Sequence, residues 1–495
     1  MDMKSTAVSY LDPVLMDSRQ LEQAQEVRIP DGMPDADRIL GVWGQPILRG
    51  KEWRGDTVGF NGGVMLWILY CPEGNDTPEI LDAWMPFQTK WGIPEDSPEG
   101  KLNLTMGIRF LDARTISPRK LMVRGGLSVC AQALVPGETN VLYPQDIPED
   151  VYVLRRSFPL KLYAQAGEKA FALEDTLSSS GEDMSDWRIC SAAVRPYVNE
   201  QKVVGNKIAF RGAAELTVLF AAEDGMLESK SFVFPFSQFA ELDKSFGNDA
   251  EADILLCVTN LELEEDPEGL KQMKLGLTAQ YAVTDLTMVD TAADAYSNLR
   301  QVKPTVDRLE LNSILDKHWE SLTGRTDLPE DVLSSIQTSL WSDVPVYDRD
   351  SGGTLAAQGT VQILYKEDSG MEGKTFHWEG SKPMKAGESA QVRITGFLPG
   401  QPQLEPGSGG MGIGGEVWCQ ITAFGSEGIP MVTDLELGEI REPSPDRPSL
   451  VLCRSGGKSL WELAKENGSA VDAIRSANAL EDEPEANQML LIPIE

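Results

Sequence analysis

The sequence predicts a mainly β protein, with three tandem antiparallel β-rich units followed by a small α/β module of strand, helix, helix and strand. Three observations carry that expectation. An apolar strand ending in an aromatic recurs as FNGGVMLWILY (Phe60 to Tyr70), FRGAAELTVLF (Phe210 to Phe220) and LAAQGTVQILY (ending at Tyr365). Runs of alternating polar and apolar residues flank it in each copy, which is the period-two signal of half-buried strands. Past residue 449 the spacing of apolar residues changes to that of short helices.

Residues 1–25 read as an N-terminal tail, and 26–140 as the first β unit. It opens on Ile29-Pro30-Asp31, runs through the LWILY strand and an EGND turn to Met85-Pro86-Phe87, and closes on LMVRGGLSVCAQALV. Residues 141–182 read as a connector. The second unit, 183–295, repeats the landmarks 150 positions on: Phe220 lies 220 − 70 = 150 residues after Tyr70, and Phe234-Pro235-Phe236 follows its AEDG turn. Residues 296–327 read as a second connector with a helix around VDRLELNSILDKHWESL.

The third unit, 328–440, begins at Leu328-Pro329-Glu330 and carries Phe376, His377 and Trp378 where the others have Pro-Phe. Units of this length exceed those of a solenoid, so full domains with their own cores, linked in series like beads, are expected. A Pro-rich linker, 441–449, separates the last module, 450–495. There Ser459 and Glu462 form a capping box ahead of LWELAKEN. Gly468 stops that helix, and Ser469 is placed to cap the next.

The chain has 495 residues, with 77 acidic against 44 basic side chains and a net charge of −33. That charge excludes nucleic acid as a partner, since phosphate binding rests on Lys and Arg displacing counterions. It disfavours anionic lipid for the same reason. No apolar window of about 20 residues occurs and the N-terminus has no signal-peptide pattern, so a cytoplasmic protein without a membrane span is expected. The six cysteines are scattered without a CxxC pair, which predicts buried reduced thiols rather than zinc ligands or disulfides.

Catalytic chemistry finds little support. His318 and His377 are the only histidines, and neither has a partner at metal-ligand spacing. GMGIGG (Gly410 to Gly415) fits a dinucleotide fingerprint by letter but is followed by a strand, not a helix. Gly457-Lys458-Ser459 ends like a P-loop, but Leu452 stands where the first glycine is required. The acidic runs 262–269, 348–353 and 481–485 read as solvated turns rather than paired carboxylates. The expectation is a non-enzyme with no catalytic residues, no metal and no cofactor.

The C-terminal module resembles LysM, on the residues Gly457-Lys458-Ser459-Leu460-Trp461-Glu462-Leu463-Ala464, on Asn478, and on Leu491-Ile492-Pro493. Lys458 stands where that family has Asp, and Asn487 where it usually has glycine. The resemblance implies a shallow groove for N-acetylglucosamine-containing glycan. Gly457, Lys458, Ser459 and Leu460 would form one side, and Ala477, Asn478, Ala479 and Leu480 the other. The three β units look like SPOCS domains, on the LWILY, LTVLF and VQILY strands, the Pro-Phe after the hairpin, and the Ile-Pro or Leu-Pro lead-in.

SPOCS units followed by LysM resemble the spore morphogenetic family of SipL and SpoVID. That resemblance implies a spore coat and cortex scaffold in the mother-cell cytoplasm, held at the forespore surface. Its partners would be the coat-basement ATPase SpoIVA and other coat proteins. The alternative it leaves open is a protein that binds peptidoglycan, or its lipid-linked precursor, through LysM.

Overall fold

A computed structural model describes the chain except for residues 1, 75–76, 179–183, 185, 223–224, 267–268, 330–331, 333, 368–369, 408–409, 441–447 and 495. Most of the expected Pro-rich linker lies outside the described residues, as do the tips of the acidic turns that follow the three aromatic-ended strands. The chain is 77% strand and 3% helix, which makes it mainly β as the alternating pattern requires.

Each third of the β region has the same plan. A long first strand pairs antiparallel with the last strand, and the last strand pairs with the one before it. In the first unit these are β1 (Met3–Arg28), β6 (Lys120–Pro144) and β5 (Lys101–Ser117). In the second they are β7 (Val151–Thr176), β11 (Lys271–Ser297) and β10 (Glu251–Glu265). In the third they are β12 (Arg300–Asp327), β19 (Gly410–Ile440) and β17 (Gln391–Pro399), with the short β18 (Gln403–Gly407) also on β19. A bulge at Val14, Ala164 and Leu315 interrupts the long pairing at the same structural position each time.

Between the long strands lies a hairpin or meander. It comprises β2 (Ala36–Arg54), β3 (Thr57–Pro72) and β4 (Glu79–Gly92) in the first unit, and β8 (Arg188–Ala221) with β9 (Leu227–Phe246) in the second. The third unit has β13 (Gln337–Ser342), β14 (Val346–Asp348), β15 (Thr354–Glu367) and β16 (Gly370–Pro383). The recurrent aromatics Tyr70, Phe220 and Tyr365 are fully buried. Register places Trp378 opposite Gly359, as Met85 faces Val64 and Phe234 faces Ala214, so Trp378 is the counterpart of Met85 and Phe234, and Glu379-Gly380 stand where the other units have Pro-Phe.

Three expectations are corrected here. Residues expected as a tail (1–25) and as connectors (141–182 and 296–327) hold the long strands β1, β7 and β12. The stretch around VDRLELNSILDKHWESL is strand, not helix, because β12 is paired with β19 from Arg300 to Asp327; tertiary pairing overrides a weak local propensity. The units are also not separate beads. Leu69, Leu219 and Leu364, spaced by 219 − 69 = 150 and 364 − 219 = 145, converge with Leu40, Trp43, Cys71 and Cys190 in one apolar cluster drawn from all three units.

Further shared clusters run along the long strands. One joins Leu134, Tyr163, Ala282, Ile314 and Phe424, and the next joins Val141, Leu160, Val289, Leu311 and Ile429. Polar contacts at the seams follow a cycle. In register, Cys130, Gln280 and Gln420 occupy one position on the last strands. Cys130 Sγ reaches the Ile394 carbonyl of the third unit, and the Gln280 amide exchanges bonds of 2.9 and 2.7 Å with the Leu104 backbone of the first. Gln420 donates to Asp253 of the second unit at 2.7 Å. This is a pseudo-threefold body, in which each unit contacts both others.

Cys71, Cys130, Cys190, Cys257 and Cys419 are buried and Cys453 is half-buried. Burial pushes the Cys130, Cys190 and Cys419 thiols up to about 12 and Cys257 to about 11. Since the thiolate is the reactive form, native chain treated with a disulfide reagent at pH 8 should show one readily reacting thiol, Cys453. All six should react after denaturation. A fast reaction at two or more sites in the native chain would contradict this packing.

Candidate partner-binding module

The C-terminal module is built from β20 (Leu450–Arg454), α1 (Leu460–Asn467), α2 (Val471–Asn478) and β21 (Met489–Pro493), with β20 and β21 antiparallel. Leu460, Leu463, Ala464, Ile474, Leu490 and Ile492 form its core. The capping box is present: Ser459 Oγ accepts from the Glu462 N–H, and the Ser459 N–H donates to the Glu462 carboxylate at 2.8 Å. The Ser459 N–H and the Ser459 hydroxyl, both donating to that carboxylate, hold the Glu462 carboxyl below its usual range. Gly468 ends α1 in the left-handed region (φ +64°). Ser469 does not cap α2. The N-cap is Ala470, and the buried Ser469 hydroxyl turns instead to the Ala470 carbonyl.

The eight residues expected to line a groove divide by role. Gly457, Lys458, Ala477 and Ala479 are exposed. Gly457 (φ +79°) makes the turn before α1, and Ala479 (φ +51°) is the left-handed end of α2. Lys458 is held by Glu466 at 2.6 Å, and that bond raises its pKa. Leu460 points into the core and Leu480 packs against it. Asn478 is committed internally: its amide donates to the Ile474 and Leu491 carbonyls at 2.8 and 2.6 Å, and its Oδ1 accepts from the Leu491 N–H at 2.8 Å. It rivets α2 to β21 and has little left for a ligand. Asn487 takes φ +69°, the left-handed conformation for which glycine is the easier residue.

One groove element was missed from the sequence. The Glu483 carboxylate, from the loop after α2, accepts the Leu460 N–H at 2.7 Å and bridges the two proposed sides. A free backbone donor at a helix start is what a glycan carbonyl or hydroxyl would need, and here the chain's own anion occupies it. Glu483 was legible only as one member of an acidic run.

The module is seated on the second unit's long strand pair, where the start of β7 meets the end of β11. Trp461 Nε1 donates to Asp294 at 2.9 Å, Lys465 pairs with the same carboxylate at 2.7 Å, and the Tyr296 hydroxyl donates to the Ser469 carbonyl at 2.9 Å. The Tyr296 ring meets Trp461 edge-on at 4.7 Å and stacks on Tyr152 at 5.1 Å. Asp294 is one residue serving two partners, so Asp294→Ala should release the module. Proteolysis between residues 441 and 449 should accelerate at least fivefold, while the β body keeps its melting temperature within a few degrees. Unchanged cleavage would mean that the apolar contact alone holds the seat.

A cavity of about 180 Å³ opens where the three units meet, lined in part by Gln45, Thr105, Val194, Cys257, Gln337 and Phe397. Ligand pockets usually run about 300 to 1,000 Å³, so this one suits packing rather than a cofactor. The two histidines are far apart in the fold, His318 on β12 beside Asp316 and His377 exposed on β16. Gly410 to Gly415 runs along strand β19, paired with β18, with no helix start behind it. Among the described residues no helix is long and apolar enough to cross a membrane.

The family model described as "SipL, SPOCS domain" matches residues 187–265, which is the second unit from Trp187 through β10. It leaves out the flanking long strands β7 and β11. The matched domain points to a sporulation-related protein. No curated protein and no solved structure matches the chain.

Proposed function

We propose that this chain is a non-enzymatic morphogenetic scaffold of the spore coat and cortex, acting at the forespore surface of the mother cell. In this reading the three-unit β body is the structural element, and its outer strands offer surfaces for other coat proteins. The C-terminal module engages the coat-basement ATPase SpoIVA. The SipL SPOCS match at residues 187–265 is the observation that carries the proposal. The seating of a second small module on the body adds a two-site logic, since linked contacts raise one another's effective concentration.

The competing glycan-binding role of the module receives less support, because Asn478 is used internally and Glu483 covers the Leu460 donor. The deciding experiment is binding of purified SpoIVA to the full chain and to a chain lacking residues 450–495. The proposal expects binding that the deletion abolishes. Intact binding after the deletion overturns the assignment to the module. Retention of the full chain on purified peptidoglycan, with no binding to SpoIVA, favours the glycan reading.

A further inference from the structure

The two-stranded sheet of the C-terminal module has one face in the core and one in solvent. Val451, Cys453, Leu490 and Ile492 point inward. On the outer face stand Leu450, Leu452, Met489 and Leu491, with exposures of 50, 61, 49 and 39% in the complete chain. Register brings them together, with Leu452 opposite Leu491 and Leu450 and Met489 on the flanking rows, where the exposed Arg454 stands opposite Met489 as the one cation of this face. Four large apolar side chains on so small a module are not isolated surface residues. Among the described residues nothing in the body covers them, because the module rests on the second unit through Trp461, Lys465 and Ser469 instead.

Charge indicates what would cover them. The loop carrying Glu481, Asp482, Glu483 and Glu485 abuts the Met489 end of this face, where Ser455 Oγ donates to the Glu485 carbonyl at 2.7 Å and the Ser455 N–H to Gln488 at 2.9 Å. All four carboxylates are exposed. Residues 450–495 hold four basic side chains (Arg454, Lys458, Lys465, Arg475) against eight acidic ones, so 4 − 8 gives −4. A second copy of this chain, at −33, would bring like charge to like.

We propose that the outer face of β20 and β21, bordered by this acidic loop, is the module's protein-docking surface, and that its occupant is a basic amphipathic helix of the partner. Residues two apart on a strand lie roughly 6.7 Å apart and neighbouring strands about 4.8 Å. The i and i+4 residues of a helix lie about 6 Å apart along its axis, so its apolar stripe matches the patch. Lys or Arg beside that stripe would meet the acidic loop. The inference rests on the docking role proposed for the module and assigns the surface that performs it.

The test uses the full chain and two probes, purified SpoIVA and a labelled synthetic amphipathic helix of Leu and Lys. Leu452→Glu with Leu491→Glu removes the apolar face at exposed positions, where folding should be undisturbed and a thermal melt verifies it. Ala477→Trp fills the groove instead. The expected result is at least a tenfold loss of affinity for both probes in the double variant and less than a twofold change in Ala477→Trp. Binding of the helix should also weaken with added salt.

Helix binding that ignores the double substitution, or that is absent from the wild-type chain, overturns the inference. So does a dimer of the wild-type chain that the double variant dissolves, or face-dependent binding to phosphatidylserine vesicles in place of the helix. If the helix binds as expected while SpoIVA does not bind at all, the surface stands and the partner assignment fails.

Discussion

Replacing Asp253 by Ala should cost about 3 to 5 kcal/mol of unfolding free energy, the range for breaking a buried ion pair by removing one partner. Lys317 of the third unit is almost wholly buried, with 4% of its side chain exposed, and it pairs with Asp253 of the second. Its ammonium sits 4.8 Å over the Tyr163 ring, whose hydroxyl accepts from Gln132 of the first unit at 3.0 Å. Gln420 completes the set by donating to the other Asp253 oxygen. Removing Asp253 strands a desolvated cation where the three units meet. Lys317→Met combined with Asp253→Leu should recover most of the loss, since the cost lies in the unpaired charge and not in the absence of the pair.

The same site sets an alkaline limit. Burial presses the Lys317 pKa down, but Tyr163 and Asp253 outweigh it and hold the value above its ordinary 10.5. A raised pKa on a cation contributes stability that is fully present below the unfolded value. That contribution is lost as pH rises through the folded one. Wild-type chain should therefore lose stability steeply only above about pH 10.5, the ordinary lysine value. The Met/Leu variant should show a shallower alkaline decline. Equal alkaline slopes in the two proteins would remove Lys317 from this account.

Gly373→Val should have an effect of similar size by a different route. An added Cβ at Gly373 would overlap the carbonyl oxygen of Leu40, so β16 of the third unit and β2 of the first approach through backbone alone. The nearby Gly41 is also close-packed, less tightly and against the Gln362 side chain rather than backbone. Backbone cannot rotate away as a side chain can, and overpacking of this kind costs about 3 kcal/mol. Denaturant titration should show the cooperative transition moving to lower concentration, with the third unit's Trp341 and Trp378 region responding first. A variant as stable as wild type would mean that the first and third units do not meet along this seam.

The repeat itself was legible because each copy preserves chemistry that a strand pair needs: an alternating run, an aromatic at its end and a turn. The module's capping box was legible for the same reason, as its residues lie three apart. The long first strands were not. Met3 pairs with Pro144, 144 − 3 = 141 residues away, so nothing local distinguishes β1 from a tail. In β12, Leu309, Leu311 and Ile314 offered spacing compatible with either period, and only the partner strand decides. The joining of the units was hidden because its polar contacts come from Gln280, Gln362 and Gln420, residues that alternating strands usually show to water. In the module, the alternation of LVLCR and MLLIP held the signal for an outer apolar face, but a run of apolar letters reads as core until both faces are seen.

The scaffold account is tested most directly by a fluorescent fusion of the full chain in sporulating cells, followed in the presence and absence of SpoIVA. The account predicts a shell around the forespore that disperses when SpoIVA is missing, and likewise when Leu452 and Leu491 are both replaced by Glu. A diffuse signal in the wild type, or one on the envelope of growing cells, would contradict it.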